Sequence, residues 1–71
     1  MKAGVPPQNI EAEKSLLGAI MMDQNVIYDV VAELKAEDFY RKDHQLIFES
    51  MVWLSNKNQP IDLITVTDHL M

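Results

Sequence analysis

Cysteine is missing from this 71-residue sequence, which excludes disulfide bonds, thiolate metal sites and cysteine nucleophiles. Glycine occurs only twice, and neither Gly4 nor Gly18 precedes a lysine, so a phosphate-binding loop of the Gly-Lys-Ser/Thr type is also missing. No apolar run reaches the roughly 20 residues that a membrane-spanning helix needs, and no signal peptide is recognisable. We therefore expect a cytoplasmic protein without a membrane partner.

Basic residues are few, because six lysines and arginines stand against eleven acidic residues, for a net charge of −5. The only adjacent basic pair, Arg41 and Lys42, is flanked by Asp38 and Asp43. A nucleic-acid surface needs clustered cations, so we do not expect this chain to bind nucleic acid directly. The excess of acidic residues is typical of a solvated surface or of a surface that binds a basic protein partner, and both interpretations stay open.

Apolar residues are plentiful enough for one small core, since 48% of the sequence is hydrophobic. Helical spacing predicts a first helix over residues 10–22, with Asn9 as its N-cap, and a second over residues 26–34, with Asn25 as its N-cap. Residues 1–8 are expected to form a flexible tail, because a glycine and a Pro-Pro pair disfavour helix there.

A central helix is predicted over residues 43–55, with Asp43 as its cap, and it carries two apolar stripes. One stripe holds four apolar side chains together with His44, and the second, nearly opposite, holds Leu46 and Trp53. A surface helix needs only one such stripe, so this helix is either the centre of a small bundle or one face of a subunit contact. We expect packing within the domain to use most of both stripes. Contacts with other proteins are then expected from the exposed acidic side chains at the rim of the domain and from the second helix.

The connection before the central helix, residues 35–42, is predicted to contain one turn at residues 36–39, with Phe39 and Tyr40 filling the junction. A last helix is predicted to begin between residues 62 and 65. It stops after barely two turns without a cap, so we expect it to be truncated. The sequence therefore predicts an all-α fold, a small orthogonal bundle of about four helices.

Glu13 projects into the middle of the apolar face of the first helix. One interpretation is a carboxylate at the edge of that face, satisfied by a backbone amide or a nearby cation. The other is a buried tie to Arg41 or His44, which would fix how the first and central helices cross. Both interpretations stay open, and these three residues, with Leu46 and Trp53, are the candidate structural and interaction residues.

No catalytic, cofactor-binding or metal-binding residue is assigned from the sequence. The two histidines, His44 and His69, lack the spacing of zinc ligands. Asp23 and Asn25 begin like a calcium loop, but Ile27 takes a ligand position and the required glycine and final glutamate are missing. We do not expect an enzyme on these residues alone.

Three stretches together resemble one protein family: residues 6–20 (PPQNIEAEKSLLGAI), residues 38–48 (DFYRKDHQLIF) and residues 61–66 (IDLITV). In order and spacing they are similar to the N-terminal domain of the bacterial replicative DNA helicases of the DnaB type. The resemblance covers the chain from Val5 onward and identifies residues 9–71 as the all-helical collar domain of such a helicase.

The resemblance implies a function for a longer parent protein. Helicases of this family are hexameric rings that unwind DNA at the replication fork with ATP and Mg²⁺, using a C-terminal RecA-like domain. Their N-terminal domain is non-catalytic, forms a collar as a trimer of dimers and contributes to the surface that recruits primase. The RecA-like domain, the linker and the helical hairpin that supplies much of the dimer contact have no counterpart in these residues. The chain is therefore expected to be a truncated domain without a cofactor of its own.

Two other functions stay open from the sequence alone. The first is a free-standing small helical adaptor for protein–protein interaction. The second is a subunit that completes an enzyme site in trans, although no residue of the chain predicts such a site.

Overall fold

The structure, a computed structural model, describes residues 9–71, which fold into four α-helices and one short 3₁₀ turn. The helices are α1 (Ile10–Met22), α2 (Val26–Val31), α3 (Lys42–Asn56) and α4 (Leu63–Leu70), and the 3₁₀ turn is Ala36–Asp38. No strand occurs within residues 9–71, and the prediction of a small all-α bundle is confirmed. The predicted tail, residues 1–8, lies outside the described residues.

Local capping signals determine where the first and last helices begin. At the start of α1, Oδ1 of Asn9 accepts a hydrogen bond from the N–H of Ala12 at 3.0 Å. At the start of α4, Asp62 and Thr65 form a reciprocal capping box, in which the side chain of each accepts from the backbone N–H of the other at 2.9 Å. The predicted starts of both helices are therefore confirmed.

The second helix is shorter than predicted and ends at Val31. After Val31 the chain forms a tighter turn than an α-helix. The N–H of Glu33 donates a hydrogen bond to the carbonyl of Val30 at 2.9 Å, three residues back rather than four. The prediction that this helix continues to Leu34 is therefore wrong. Asn25 does precede the helix, but its side chain makes no capping hydrogen bond.

The central helix begins one residue earlier than predicted, because Asp43 lies in its first turn rather than at its cap. Arg41 holds the cap position with an extended backbone, and its carbonyl accepts the N–H of Gln45 at 3.0 Å. The carboxylate of Asp43 instead accepts the N–H of His44 at 2.8 Å. An acidic side chain in the first turn is still favourable, since it lies near the positive end of the helix dipole.

Phe39 fills the junction before α3, as predicted, but Tyr40 does not. Phe39 is 4% exposed and its ring centroid lies 5.0 Å from that of Phe48, whereas Tyr40 is 55% exposed. The backbone is extended at Phe39, and successive side chains of an extended segment point to opposite sides. Only one of the two aromatic residues can therefore face the core.

The core surrounds α3, which contacts each of the other helices and the 3₁₀ turn. Its buried apolar residues come from every part of the fold: Leu17, Ile20, Ile27, Val30, Phe39, Phe48, Met51, Leu54, Ile61 and Val66. After α3, Asn58 adopts a left-handed backbone with φ of 58°, and the N–H of Gln59 returns to the carbonyl of Leu54 at 2.9 Å. This turn sends the chain back along α3 towards α4.

Candidate functional site

Glu13 is the most buried ionisable side chain of residues 9–71, with 2% of the residue exposed. Its Oε2 accepts the backbone N–H of Tyr40 at 2.5 Å, and its Oε1 accepts the N–H of Arg41 at 3.4 Å. The same Oε1 lies 2.7 Å from Nδ1 of His44. Because an ionised carboxylate only accepts hydrogen bonds, Nδ1 carries the proton. Three donors at the start of α3 thus hold one side chain of α1, an arrangement that we call the Glu13 clamp.

The positions of these groups follow from the local structure. Asn9 starts α1 so that Glu13 shares its inward face with Leu17. The N–H groups of Tyr40 and Arg41 precede the first turn of α3, so no helical carbonyl is available to them. The Glu13 carboxylate supplies the missing acceptor and also meets the positive end of the α3 dipole.

The pKa of Glu13 is lowered from its usual value. Burial by itself raises the pKa of a carboxyl group, but the N–H of Tyr40, the ring of His44 and the N–H of Arg41 together outweigh burial by stabilising the ionised form. Glu13 is buried, so its expected position at the edge of the apolar face is wrong, although backbone amides do bind it as that interpretation expected. The contact with His44 agrees with the second interpretation, a buried tie.

Arg41 contributes only its backbone to the Glu13 clamp. Its guanidinium instead binds Asp43 through two hydrogen bonds, Nε to Oδ1 at 2.9 Å and Nη2 to Oδ2 at 2.7 Å. This pairing raises the pKa of Arg41 and lowers the pKa of Asp43. Both side chains are about half exposed, at 48% and 54%, so water screens the pair and its effect on stability is small.

Leu46 and Trp53 remain 44% and 43% exposed, so packing within the domain does not use most of the second stripe, and that expectation is wrong. The reason is that α4 covers this stripe only in part. The ring of Trp53 stacks on His69 of α4 with centroids 4.4 Å apart, and Nζ of Lys57 lies 5.6 Å from the Trp53 ring centroid. The stripe that contains His44 is buried against the other helices.

Ser50 forms a contact that the sequence reasoning missed. Its Oγ lies 2.7 Å from Nδ1 of His69, and the residue is 1% exposed. A serine beside a histidine can serve as a nucleophile, but burial keeps this hydroxyl away from a substrate, so we assign it to joining α3 and α4. The sequence held no distinctive signal for the pair, because 19 positions separate the two residues.

Within residues 9–71, no group of three or more His, Cys, Asp or Glu side chains could hold a metal ion. In the same part of the chain, no helix is both long enough and apolar enough to cross a membrane.

The exposed apolar side chains offer surfaces for protein contact. On α4, Leu63 and Ile64 are 69% and 72% exposed, and on α2, Tyr28 and Val31 are 59% and 44% exposed. Together with the exposed stripe of α3, they give this small domain more than one apolar surface. Binding of other proteins is the activity that these surfaces support best.

Two comparisons with known proteins agree with each other. A family model described as the DnaB-like helicase N-terminal domain matches residues 5–71. The crystal structure of the N-terminal domain of DnaB helicase from Mycobacterium tuberculosis aligns with a TM-score of 0.86 and 36% sequence identity. The alignment covers 93% of this chain and 46% of that chain.

Sequence relatives carry the same kind of name. Replicative DNA helicase DnaB of Geobacillus stearothermophilus and replicative DNA helicase DnaC of Bacillus subtilis are each 44% identical over 66 residues. Each match covers 93% of this chain but only 14% of the relative. The chain therefore corresponds to a small part of each relative's length.

Proposed function

The chain belongs to the family of DnaB-like helicase N-terminal domains, and we propose that it serves as the non-catalytic collar domain of a replicative DNA helicase. In that role it assembles subunits into a ring and docks primase. The observation that carries the proposal is the family match over residues 5–71. The names of the relatives support unwinding of DNA as the activity of the whole parent protein.

Ring assembly is the first part of the proposal. The parent would form a hexamer whose N-terminal domains associate as a trimer of dimers. Support comes from the half-exposed Leu46 and Trp53 on α3 and from Leu63 and Ile64 on α4, because contact between subunits would remove their apolar surface from water.

Primase docking is the second part. The chain has a net charge of −5, which favours a partner surface with the opposite charge and speeds their encounter. We place the contact on exposed acidic side chains and on α2, where the exposed Tyr28 and Val31 supply apolar surface.

The chemistry of unwinding is assigned to the rest of the parent protein. We assign ATP and Mg²⁺ to that part of the parent, since neither glycine of the sequence precedes a lysine and no group of three or more His, Cys, Asp or Glu side chains within residues 9–71 could hold a metal ion. We place ATP hydrolysis in the RecA-like domain that the family resemblance implies.

The intact mass of the endogenous protein that carries this sequence separates the proposal from a free-standing adaptor. A product several times heavier than 8.1 kDa is expected for a helicase subunit. A product of 8.1 kDa would instead favour the adaptor.

Deletion in the heavier protein tests the role of the domain directly. Removal of residues 9–71 is expected to leave ATP hydrolysis measurable while weakening hexamer formation in native mass spectrometry and primase binding in sedimentation. Removal of residues 1–4 alone, which precede the family match, is the control and should change none of the three. If the protein without residues 9–71 still forms the ring and still binds primase, the proposed role is wrong.

A further inference from the structure

An apolar groove of about 340 Å³ lies between the end of α2, the 3₁₀ turn and α3. Its apolar lining residues are Val31, Leu34, Ala36, Phe48 and Val52. Val31 at the end of α2 and the segment after it line one side of the groove, and residues of α3 line the other.

Charged residues lie on the groove lining and next to it in the chain. Glu49 and Lys35 line the groove, and the exposed Glu33 and Glu37 are the chain neighbours of its lining residues Leu34 and Ala36. None of these four side chains forms an ion pair with another residue of the range 9–71. Three carboxylates against one ammonium group favour a partner with positive charge.

A second apolar depression, of about 140 Å³, shares the lining residue Leu34 with the groove. Its other apolar lining residues are Ala12, Leu16 and Phe39. Two depressions that share one residue suit two neighbouring side chains of one bound element. On a helix, side chains four positions apart are such neighbours, at about 5–6 Å between Cβ atoms.

We propose that the groove binds an amphipathic helix of a partner protein, with an aliphatic side chain in each depression and lysine or arginine residues facing Glu33, Glu37 and Glu49. A helix is favoured over a strand because the described residues have no sheet edge to extend, whereas apolar grooves between helices accept helices. This inference rests on the proposed function, since it names a docking surface and the chemistry of its partner.

A second copy of this chain fits the groove less well. The chain's own outward apolar helix, α4, adjoins Asp62 at its start, contains Asp68 and has no lysine or arginine. It would bring carboxylates and no lysine or arginine to a groove with Glu49 in its lining, which is less favourable than a cationic helix.

The test is an NMR titration of the ¹⁵N-labelled 71-residue chain with a synthetic helical peptide. The probe has about 15 alanine and lysine residues and two leucines four positions apart. We expect saturable shifts of backbone amides that line the groove, such as Val31, Leu34 and Val52. A peptide with glutamate in place of lysine should bind about tenfold more weakly, and one with alanine in place of leucine should not saturate.

A charge reversal locates the acidic contact. Glu49→Lys should weaken peptide binding about fivefold. Asp68→Lys makes the same change of charge at an exposed residue of α4, outside the groove and outside α2, and should leave affinity within about twofold. Preservation of the remaining NMR spectrum shows that each variant is folded.

Several outcomes would overturn the inference. These are shifts centred on Leu63 and Ile64 of α4, equal affinity for the lysine and glutamate peptides, and equal effects of Glu49→Lys and Asp68→Lys. If the groove amides shift without peptide as the concentration of the chain rises, the groove binds a second copy of the chain instead. The mass and deletion experiments do not involve the groove, so the proposed function can stand if this inference fails.

Discussion

Nδ1 of His44 lies 2.7 Å from Oε1 of Glu13, and both side chains are buried although 31 positions separate them in the chain. The contact joins α1 to the first turn of α3. Because the same carboxylate also accepts the N–H groups of Tyr40 and Arg41, it orders the segment that enters α3 as well as the helix itself.

Glu13→Gln is expected to lower the free energy of unfolding by about 3 kcal/mol, because the glutamine amide has one acceptor oxygen where the carboxylate has two and no charge to balance the surrounding donors. Urea denaturation followed by circular dichroism measures this loss. Glu11→Gln is the matched control on the same helix, with an exposed side chain, and should change the free energy by no more than about 0.5 kcal/mol. Equal effects of the two substitutions would show that the Glu13 clamp does not stabilise the fold.

Acid should weaken the domain partly through Glu13. Its pKa is lower in the folded chain than in the unfolded chain, so its contribution to stability is fully present above the usual glutamate pKa of about 4.3 and is lost as the pH falls through the lower folded value. Urea denaturation between neutral pH and about pH 3 should show this loss, and Glu13→Gln should flatten the curve. If the free energy of unfolding of the two proteins falls in parallel with pH, Glu13 does not contribute to the pH dependence.

Gly18→Ala should stabilise the domain by about 1 kcal/mol, because Gly18 is exposed in the middle of α1 and an added Cβ would meet no atom within 4 Å. Thermal denaturation should show a midpoint about 4–8 °C higher. Ala19→Gly, at the next exposed position of the helix, is the reverse control and should lower the midpoint by a similar amount. A lower midpoint for Gly18→Ala would mean that the glycine has another role.

Trp53→Ala should lower the free energy of unfolding by about 1 kcal/mol, because it removes the stacking contact with His69 that helps to hold α4 against α3. Leu46→Ala is the matched control at equal exposure on the same helix and should have a smaller effect, since Leu46 lacks that contact. Thermal denaturation and sedimentation should be measured together. If Trp53→Ala leaves thermal stability unchanged but alters self-association, Trp53 belongs to a subunit interface instead.

Much of the secondary structure could be predicted because its signals are local. Asn9 bonds to an amide three residues away, and Asp62 and Thr65 bond to each other, so their effect depends on only one turn of chain. The end of α2 could not be predicted in this way. Its apolar spacing continues to Leu34, but the connection to α3 makes the chain turn after Val31.

The candidate site was predictable only in outline. Glu13 was recognisable as a carboxylate on an apolar face, and His44 was one of two partners considered for it. The exclusion of the Arg41 guanidinium could not be predicted, because the nearby Asp43 binds it at the surface and leaves the backbone N–H of Arg41 for Glu13. Ser50 gave no distinctive signal, since its partner His69 lies 19 positions away on another helix.

The sequence by itself determined that this chain is all-helical, where its first and last helices begin and which family it resembles, because caps, apolar spacing and ordered motifs are properties of the chain alone. Only the tertiary structure decided which stripe of α3 is covered, which donors reach Glu13 and that a groove opens beside Leu34. These features depend on the relative placement of helices that are distant in the chain. That placement is determined by packing of the whole core, which no local stretch of sequence specifies.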